Sequence, residues 1–281
     1  MKKRTLFCLI PAFSLLFLTL SGCAAKKPQT EESGTAPEVT APDATEAQTV
    51  PETEKLPVTL KIGSYNIKNG LDVGYDYSLL ADDIVNAGLD VCGLQEVDQK
   101  TARNGNRDTM KLLSKATGYE YYRFAKAIPY QGGEYGTAIL SRYPIVSFEV
   151  IPLESDGYEQ RSLGHAVLDV DGTLVDYFNT HLSYENKETR AKQFLTLAEQ
   201  IAKTDRWILT ADFNTDDFTE FAVIDNSLLV NNAENRMLSY TAKSAIDNIV
   251  LPSSASVTAS GMLDSVSHSD HVMIWAEIVL Q

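Results

Sequence analysis

Short segments in which apolar and polar residues alternate recur from residue 58 to the C-terminus. In the first of them, Val58, Leu60 and Ile62 are separated by Thr59 and Lys61. Alternation with a period of two indicates a half-buried strand, whereas apolar residues three or four positions apart indicate a helix. Both patterns occur along this chain, so it must pack helices against sheets.

The pattern predicts strands at residues 58–66, 91–97, 135–141, 165–170, 174–180, 207–210, 246–251 and 272–279. It predicts helices from the N-cap Asp76 to Gly88, over 106–118, and between 185 and 203. Asp171-Gly172 between two strands is a hairpin signal. Hairpins mixed with helices favour an α+β layered fold over a doubly wound sheet, and the chain has no glycine fingerprint for dinucleotides.

The N-terminus has the pattern of an export signal. Lys2, Lys3 and Arg4 precede an apolar run over 6–20, which is too short to span a bilayer. Ser21, Gly22 and Cys23 follow the run, and the whole segment resembles a bacterial lipoprotein signal, in which that cysteine is lipidated after cleavage. We therefore expect a signal peptide at 1–22 and a lipid anchor on Cys23; an ordinary signal with an incidental cysteine is the alternative.

Residues 24–57 are rich in Ala, Thr, Glu and Pro and contain no aromatic residue. Such a segment cannot bury enough apolar area to fold, so we expect residues 23–57 to form a disordered tether and residues 58–281 the domain. Ala24 and Ala25 carry no acidic retention signal, so the anchor could lie in the cell membrane or an outer membrane. Cys92 is the domain's own cysteine, which excludes an internal disulfide.

Acidic residues dominate the charge: Asp plus Glu number 38 and Lys plus Arg 24, a formal net charge of −14. A chain of this charge has no long-range positive field that would attract nucleic acid or anionic lipid. Any polyanionic substrate must be bound by a local group of donors.

Polar residues stand where the predicted strands begin or end. These positions are Asn66, Gln95-Glu96, Asn179-Thr180-His181, Asp212-Phe213-Asn214, Asp247 and Ser269-Asp270-His271. Each one alone has an ordinary structural explanation, but all of them at one edge of a sheet would form a cluster of carboxylates and imidazoles. Clustered carboxylates repel one another and call for a cation, and hard oxygen ligands favour Mg²⁺ or Mn²⁺.

The strings SYNIKNG, GLQEVD, YGTAILSRYPI, NTHLS, TADFNT, SAIDNIV and SDHVMIWAEI occur in this order. Together they resemble the endonuclease/exonuclease/phosphatase family, which includes deoxyribonuclease I. The resemblance implies a four-layer α/β/β/α sandwich of two mostly antiparallel sheets flanked by helices, with the active site at one end.

The resemblance also implies roles for metal and phosphate binding. Glu96 would be the main Mg²⁺ (or Mn²⁺) ligand, and Asp270 would contribute to the metal or its waters. Asn66 and Arg161 would bind phosphate.

Catalytic roles follow in the same way. Asp212 and Asn214 would orient the attacking water and the phosphoryl oxygens. His271, steadied by Asp247, would be the general base or would stabilise the pentacovalent state. His181 would contact the phosphate and assist the leaving oxygen.

Some residues depart from the family pattern or match none of its functional positions. Asn248 replaces an aromatic residue and is expected to alter the substrate-facing wall. His165 and His268 are expected to be structural or surface residues. The loop around Gly132-Gly133 could grip a substrate or be an ordinary solvated loop; its candidate residues are Arg103, Arg107, Lys126, Tyr130 and Tyr135.

We therefore expect a monomeric, divalent-metal-dependent hydrolase of phosphoester bonds, a phosphodiesterase or phosphatase with a nuclease-like site, at the cell envelope. Its substrate could be a nucleic acid, a lipid headgroup or a small phosphodiester. The alternatives are a phospholipid or sphingolipid headgroup phosphodiesterase and an inactive, surface-anchored binding module.

Overall fold

The structure, a computed structural model, describes residues 56–263 and 268–281. The predicted signal peptide, Cys23 and all but the last two residues of the predicted tether lie outside the described residues. Among the helices of the described part, none is long and apolar enough to cross a bilayer.

The strands are β1 (Val58–Asn66), β2 (Val91–Gln99), β3 (Tyr121–Tyr130), β4 (Gly133–Ser141), β5 (Ile145–Pro152), β6 (Ser162–Val170), β7 (Thr173–His181), β8 (Trp207–Asp212), β9 (Ser227–Leu229), β10 (Asp247–Pro252), β11 (Ser256–Met262) and β12 (Ile274–Leu280). The α-helices are α1 (Tyr77–Asn86), α2 (Thr109–Thr117) and α3 (Lys187–Ile201), and 3₁₀ segments cover Lys68–Val73 and Phe218–Val223.

The strands form two six-stranded sheets, in the orders β11-β12-β1-β2-β4-β3 and β5-β6-β7-β8-β10-β9. Each sheet contains one parallel pair, β1 with β2 and β7 with β8. The other neighbouring pairs are antiparallel. This arrangement confirms the predicted pair of mostly antiparallel sheets.

Apolar side chains form three clusters that define the layers. Ile62 and Ile249 belong to the cluster between the two sheets. Leu80 of α1 and Leu94 of β2 belong to the cluster between helices and the first sheet. Phe194 of α3 lies in the cluster on the second sheet. Full burial of such a side chain contributes about 1.5 to 3 kcal/mol, so the three interfaces stabilise the predicted α/β/β/α sandwich.

A buried polar group also joins the sheets. The side-chain amide of Asn179 donates to the carbonyl oxygens of Leu94 and Ala138, at 2.9 and 2.8 Å. Its oxygen accepts hydrogen bonds from Gln95 Nε2 at 2.7 Å and Thr210 Oγ1 at 3.1 Å. Because Asn179 lies on β7 and Gln95 on β2, these bonds fix one sheet against the other.

The predicted helix starts are right for α1 and wrong for α2. Asp76 caps α1 by accepting a backbone N–H bond at 3.2 Å. The second helix begins at Thr109 rather than at 106, because Asp108 is its N-cap and accepts from Lys111 N at 3.1 Å. Asn106 has a φ of 58° and lies in the preceding turn. Asn and Asp both suit an N-cap, so the pattern alone did not separate them.

Four strands were missed by the alternation pattern: β3, β5, β9 and β11. They are the outermost strands of the two sheets. An edge strand has one neighbour and buries less of its surface, so its apolar residues need not alternate. The predicted hairpin between β6 and β7 is confirmed, with φ of 52° at Asp171 and 89° at Gly172.

Candidate active site

The ends of the two parallel strand pairs bring the predicted site residues together. Asn66 ends β1, and Glu96 lies near the end of its neighbour β2. His181 and Asp212 end β7 and β8 side by side. Asp247 begins the antiparallel strand β10 and pairs with Asp212. Parallel neighbours end at the same side of a sheet, which explains why polar residues distant in sequence meet here.

Asn66 links the two sheets at this end. Its Nδ2 atom donates to Glu96 Oε1 at 3.1 Å and to Asp212 Oδ2 at 3.0 Å, and lies 3.4 Å from His271 Nε2. The side chain is fully buried. Asn66 therefore holds carboxylates of both sheets in one place, and its predicted phosphate-binding role stays a prediction.

An irregularity in β2 directs Glu96. The register between β2 and β4 shifts between Leu94 and Val97, and Glu96 has a φ of 53°. A left-handed conformation in a non-glycine residue costs about 1 to 3 kcal/mol and is found preferentially at functional sites. Gln95 bonds with Asn179 between the sheets, while Glu96 contributes to the wall of a cavity.

His271 is oriented by a buried carboxylate. Its Nδ1 lies 2.8 Å from Asp247 Oδ2, which also accepts a bond from Ser239 Oγ at 2.6 Å. Burial alone would lower the pKa of His271, but the charge and hydrogen bond of Asp247, with the charge of Asp212, raise this pKa to about 9. With no metal bound, this pairing favours the cationic form of the imidazole at neutral pH.

Asp212 lies at the centre of the group. Burial and the charge of Asp247 raise its pKa, against the favourable charge of His271. Its Oδ1 accepts the backbone N–H of Asn214 at 3.0 Å, and Asn214 has a φ of 53°. The side chain of Asn214 donates to Leu182 O at 2.9 Å. Asn214 is thus fixed beside Asp212, as the prediction of a joint role requires.

His181 is held by an arginine. Its Nδ1 lies 3.1 Å from Arg161 Nη1, and its Nε2 lies 3.5 Å from Asp212 Oδ2. The same guanidinium forms an ion pair with Glu159 at 2.9 Å. Burial, followed by the charges of Arg161 and His271, lowers the pKa of His181 well below its usual value. The two imidazoles of the site therefore differ in charge.

Asp270 is paired with a lysine that the sequence analysis did not single out. Lys68 Nζ lies 3.1 Å from Asp270 Oδ2 and 3.2 Å from Asp72 Oδ2. Lys68 follows Asn66 by two residues, just past the end of β1, and this position was the available signal. Lys68 neutralises part of the negative charge of the site.

These side chains line a cavity of about 380 Å³. Its lining residues are Glu96, Tyr135, Glu159, Arg161, His181, Tyr184, Asp212, Asn214, Tyr240, Ile246, Asp270 and His271. Two other clefts, of about 490 and 520 Å³, contain none of the predicted catalytic residues. We assign the site to the smaller cavity because the clustered ionisable groups lie there.

Two tyrosines of the wall were missed. Tyr184 follows β7 closely and is 67% exposed, and the Tyr240 ring lies 4.7 Å from the ring of His271. The position of Tyr184 just after the NTHLS string could have identified it. Tyr240 lies in a loop without a periodic pattern, so only the folded chain reveals it.

The candidate residues around Gly132-Gly133 do not all have the same role. One lies at the cavity, as a substrate-binding loop requires, and others belong to an ordinary solvated loop. Tyr135 lines the cavity, whereas the other candidates of that loop are not among the lining residues. Arg103 donates to both carboxylate oxygens of Asp98, at 2.6 and 2.8 Å. Lys126 is paired with Glu134 at 2.7 Å. Both cations are held by local acids.

The expectation for Asn248 is wrong. The strand alternation points its side chain away from the cavity, and the buried amide bonds with the backbone of Asn231 at 2.9 and 2.7 Å. His165 contacts Glu149 and Asp176, and His268 contacts Asp83. None of these residues lines the cavity.

The donor set fits a divalent cation. Ligand atoms of Asp212, Asp247 and His271 lie within 4.8 Å of one another, and this group could hold a metal ion. The predicted ligands Glu96 and Asp270 line the same cavity. Asp247 Oδ1 is buried without a hydrogen-bond partner among the described residues, and burial raises the pKa of Glu96. A site with excess negative charge and a free carboxylate oxygen is suited to a cation.

Comparisons with solved structures show the same fold. An endonuclease/exonuclease/phosphatase from Beutenbergia cavernae DSM 12333 has a TM-score of 0.70 at 20% identity, over 79% of this chain and 72% of its own. A mannosyl-6-phosphatase of Bacteroides thetaiotaomicron VPI-5482 has a TM-score of 0.59 at 21% identity, over 78% and 99%. D. rerio TDP2 complexed with a single-strand DNA product has a TM-score of 0.61 at 19% identity, over 78% and 98%.

No curated protein matches the sequence significantly. The sequence profile of the Endonuclease/Exonuclease/phosphatase family matches residues 63–271, which include every predicted catalytic, phosphate-binding and metal residue. The fold, the cavity and this match agree, and the chain belongs to the endonuclease/exonuclease/phosphatase family, whose members hydrolyse phosphoester bonds.

Proposed function

We propose that the protein is a divalent-metal-dependent phosphoester hydrolase that uses Mg²⁺ or Mn²⁺. The observation that carries this proposal is the contact of Asn66 with Glu96 on one side and Asp212 on the other, beside His271. Carboxylates, a cationic imidazole and a neutral imidazole meet in one cavity. Such a group can place a water and neutralise a phosphoryl oxygen.

Glu96 and Asp270 would hold the metal, with Asp212 and Asp247 close by. A bound divalent cation would neutralise negative charge on the phosphoryl group. Asn66 supports this arrangement because its amide fixes Glu96 at 3.1 Å.

The remaining residues supply positioning and protons. Asp212 and Asn214 would orient the attacking water, since the Asn214 backbone fixes one carboxylate oxygen of Asp212 and leaves the other facing His271. His271, held as a cation by Asp247, would stabilise the negative charge that develops on the phosphoryl oxygens. Deprotonated, the same imidazole would serve as a base. His181 would donate a hydrogen bond beside the leaving oxygen.

Removal of the metal and of the named groups tests this proposal. A chelator should abolish hydrolysis of a generic phosphoester, and Mg²⁺ or Mn²⁺ should restore it. Glu96→Gln and His271→Gln should each lower kcat by about a hundredfold or more, as expected for loss of a charged catalytic group. His165→Gln, which changes a histidine outside the cavity, is the matched control. Full activity of the two site variants would refute the proposal.

For the substrate, we propose a small phosphoester over a nucleic acid. The cavity of about 380 Å³ has Glu159 in its wall, and the chain has a net charge of −14. Both features disfavour a long polyanion. Among proteins of this fold are a mannosyl-6-phosphatase and TDP2 crystallised with single-strand DNA, so the fold is compatible with either class.

A substrate panel separates the candidates. A hexose phosphate, a single-stranded oligonucleotide and phosphatidylcholine vesicles would each be assayed with Mg²⁺ and compared by kcat/KM. We expect the small phosphoester to be hydrolysed best and the oligonucleotide to depend steeply on salt. A preference for vesicles would favour the lipid-headgroup alternative, and no hydrolysis with retained metal binding would favour the binding module.

For the location, we propose export and lipid anchoring at Cys23. The basic start, the short apolar run and the cysteine after Gly22 support this proposal. Labelling cells with an alkyne fatty acid should mark the protein, and Cys23→Ser should abolish the label. Cys8→Ser is the control, because Cys8 lies within the predicted signal. Label retained in Cys23→Ser would refute the anchor.

A further inference from the structure

The contact between Arg161 and His181 determines which ring nitrogen of His181 carries the proton. Arg161 is 3% exposed, and its Nη1 lies 3.1 Å from His181 Nδ1. Arginine stays protonated in proteins, and its nitrogens only donate hydrogen bonds. Nδ1 must therefore accept this bond, and an accepting nitrogen has no proton. The neutral ring then carries its proton on Nε2.

His271 shows the opposite arrangement in the same cavity. Its Nδ1 lies 2.8 Å from Asp247 Oδ2, and a carboxylate only accepts, so this Nδ1 carries a proton. The Nε2 atoms of both rings approach Asp212 Oδ2, at 3.5 Å from His181 and 3.7 Å from His271. The partner of each Nδ1, Arg161 for His181 and Asp247 for His271, therefore determines whether the Nε2 of the same neutral ring carries a proton.

The position of Arg161 argues that it acts through His181. Its Nη1 is shared between His181 and Glu159, and its Nε is buried without a hydrogen-bond partner among the described residues. Arg161 (3% exposed) and His181 (7% exposed) line the same cavity, but the Arg161 nitrogen nearest the ring is occupied by His181 and Glu159, whereas His181 Nε2 faces the carboxylate of Asp212. Glu159, which is partly exposed, holds the guanidinium in place by its ion pair.

We propose that Arg161 is a positioning residue that fixes His181 as the neutral Nε2–H tautomer, so that Nε2 donates a hydrogen bond and cannot act as a base. The identity of the acceptor of this bond, a phosphoryl oxygen, rests on the proposed function. The assignment of the tautomer does not depend on that function. Burial and the positive charge of Arg161 lower the pKa of His181, in agreement with a neutral ring.

The tautomer can be measured directly. Protein labelled with ¹⁵N in the histidine rings contains four histidines, which single His→Gln variants assign. We expect His181 to show an unprotonated Nδ1 and a protonated Nε2, and His271 to show a protonated Nδ1. A protonated His181 Nδ1 in the wild-type protein would overturn the proposal without any variant and without any assay of hydrolysis.

Variants test the part played by Arg161. Arg161→Met removes the donor, so the His181 Nδ1 resonance should shift toward that of a ring exchanging between tautomers; Arg161→Lys keeps a donor and should preserve the wild-type signal. Arg206→Met is the control, because Arg206 is also buried, its guanidinium donates to the carbonyl oxygens of Gln281 and Leu56, and it does not line the cavity. An unchanged His181 signal in a folded Arg161→Met protein would overturn the proposal.

Kinetics separate positioning from direct phosphate binding. Arg161→Met should lower kcat/KM by about a hundredfold, the effect of losing one preorganised donor. In a His181→Ala background the same substitution should change kcat/KM by less than about twofold, because residues that act as one unit are not additive. A further loss of about a hundredfold in that background would show that Arg161 binds phosphate itself.

Discussion

The two imidazoles of the cavity differ in pKa because the Nδ1 atom of each ring contacts a side chain of opposite charge: Asp247 for His271 and Arg161 for His181. Asp247 behind His271 raises its pKa to about 9 against the effect of burial, and Arg161 behind His181 adds to the effect of burial and lowers the pKa. One fold thus holds a cationic and a neutral imidazole within reach of Asp212. Pairs of groups whose pKa values are pushed apart are typical of sites that handle protons.

At the same scale, His165 should make the stability of the fold depend on pH. Burial opposes protonation, but hydrogen bonds to Asp176 at 2.6 Å and Glu149 at 2.9 Å raise the pKa of this ring, which also stacks on Phe178. Because the folded pKa exceeds the unfolded value of about 6.5, the stabilisation is fully present below pH 6.5 and is lost as pH rises through the folded pKa.

Urea unfolding of the wild type and His165→Gln over a pH series measures this effect. We expect the difference in the free energy of unfolding between the two proteins to be largest below about pH 6.5 and to shrink above it. The comparison cancels the titration of groups that His165 does not contact. A difference that stayed constant with pH would contradict the expectation.

At the scale of the elements, the burial of a strand determines whether the alternation pattern predicts it. β1, β2, β7 and β8 lie inside their sheets, and the strand pattern identified each of them. β3, β5, β9 and β11 lie at the edges, where water covers part of each strand, so polar and apolar residues are both tolerated. Their positions follow from the neighbours they pair with.

The start of α2 offers a test at the element scale. Asp108→Ala should lower the free energy of unfolding by about 1 kcal/mol, because the backbone N–H of Lys111 and the Gln99 side chain lose their acceptor. Asn106→Gly should have little effect or stabilise the protein slightly, since Asn106 has a positive φ of 58°. Urea denaturation measures both. A larger loss for the Asn106 variant would restore the predicted start.

The stability of the fold and the position of the site both depend on how closely the two sheets approach beneath the site. A Cβ atom on Gly93 would lie 2.1 Å from Thr210 Oγ1 and 2.6 Å from Asn179 Oδ1, both on the facing sheet. The sheets are therefore in contact at this level, directly below Glu96 and Asp212. Any substitution that separates them should also displace the site.

Gly93→Ala should accordingly lower the free energy of unfolding by about 2 kcal/mol or more and reduce hydrolysis. Gly172→Ala is the matched control: its Cβ meets nothing within 4 Å, and only the strain of its φ of 89° remains, worth about 1 kcal/mol. Urea denaturation with a hydrolysis assay distinguishes the two. Equal stability losses and unchanged activity in both variants would contradict a role for the close contact.

The sequence by itself indicated an α+β layered fold, the interior strands and the residue types of the site, because alternation, caps and polar residues at strand ends are local properties. The tertiary structure decided which side chains meet: Asn66 with Asp212, Arg161 with His181, and Lys68 with Asp270. It also decided that Asn248 faces away from the cavity while Asp247 faces His271. Local patterns do not specify distances between sheets, and the charge state of each imidazole depends on those distances.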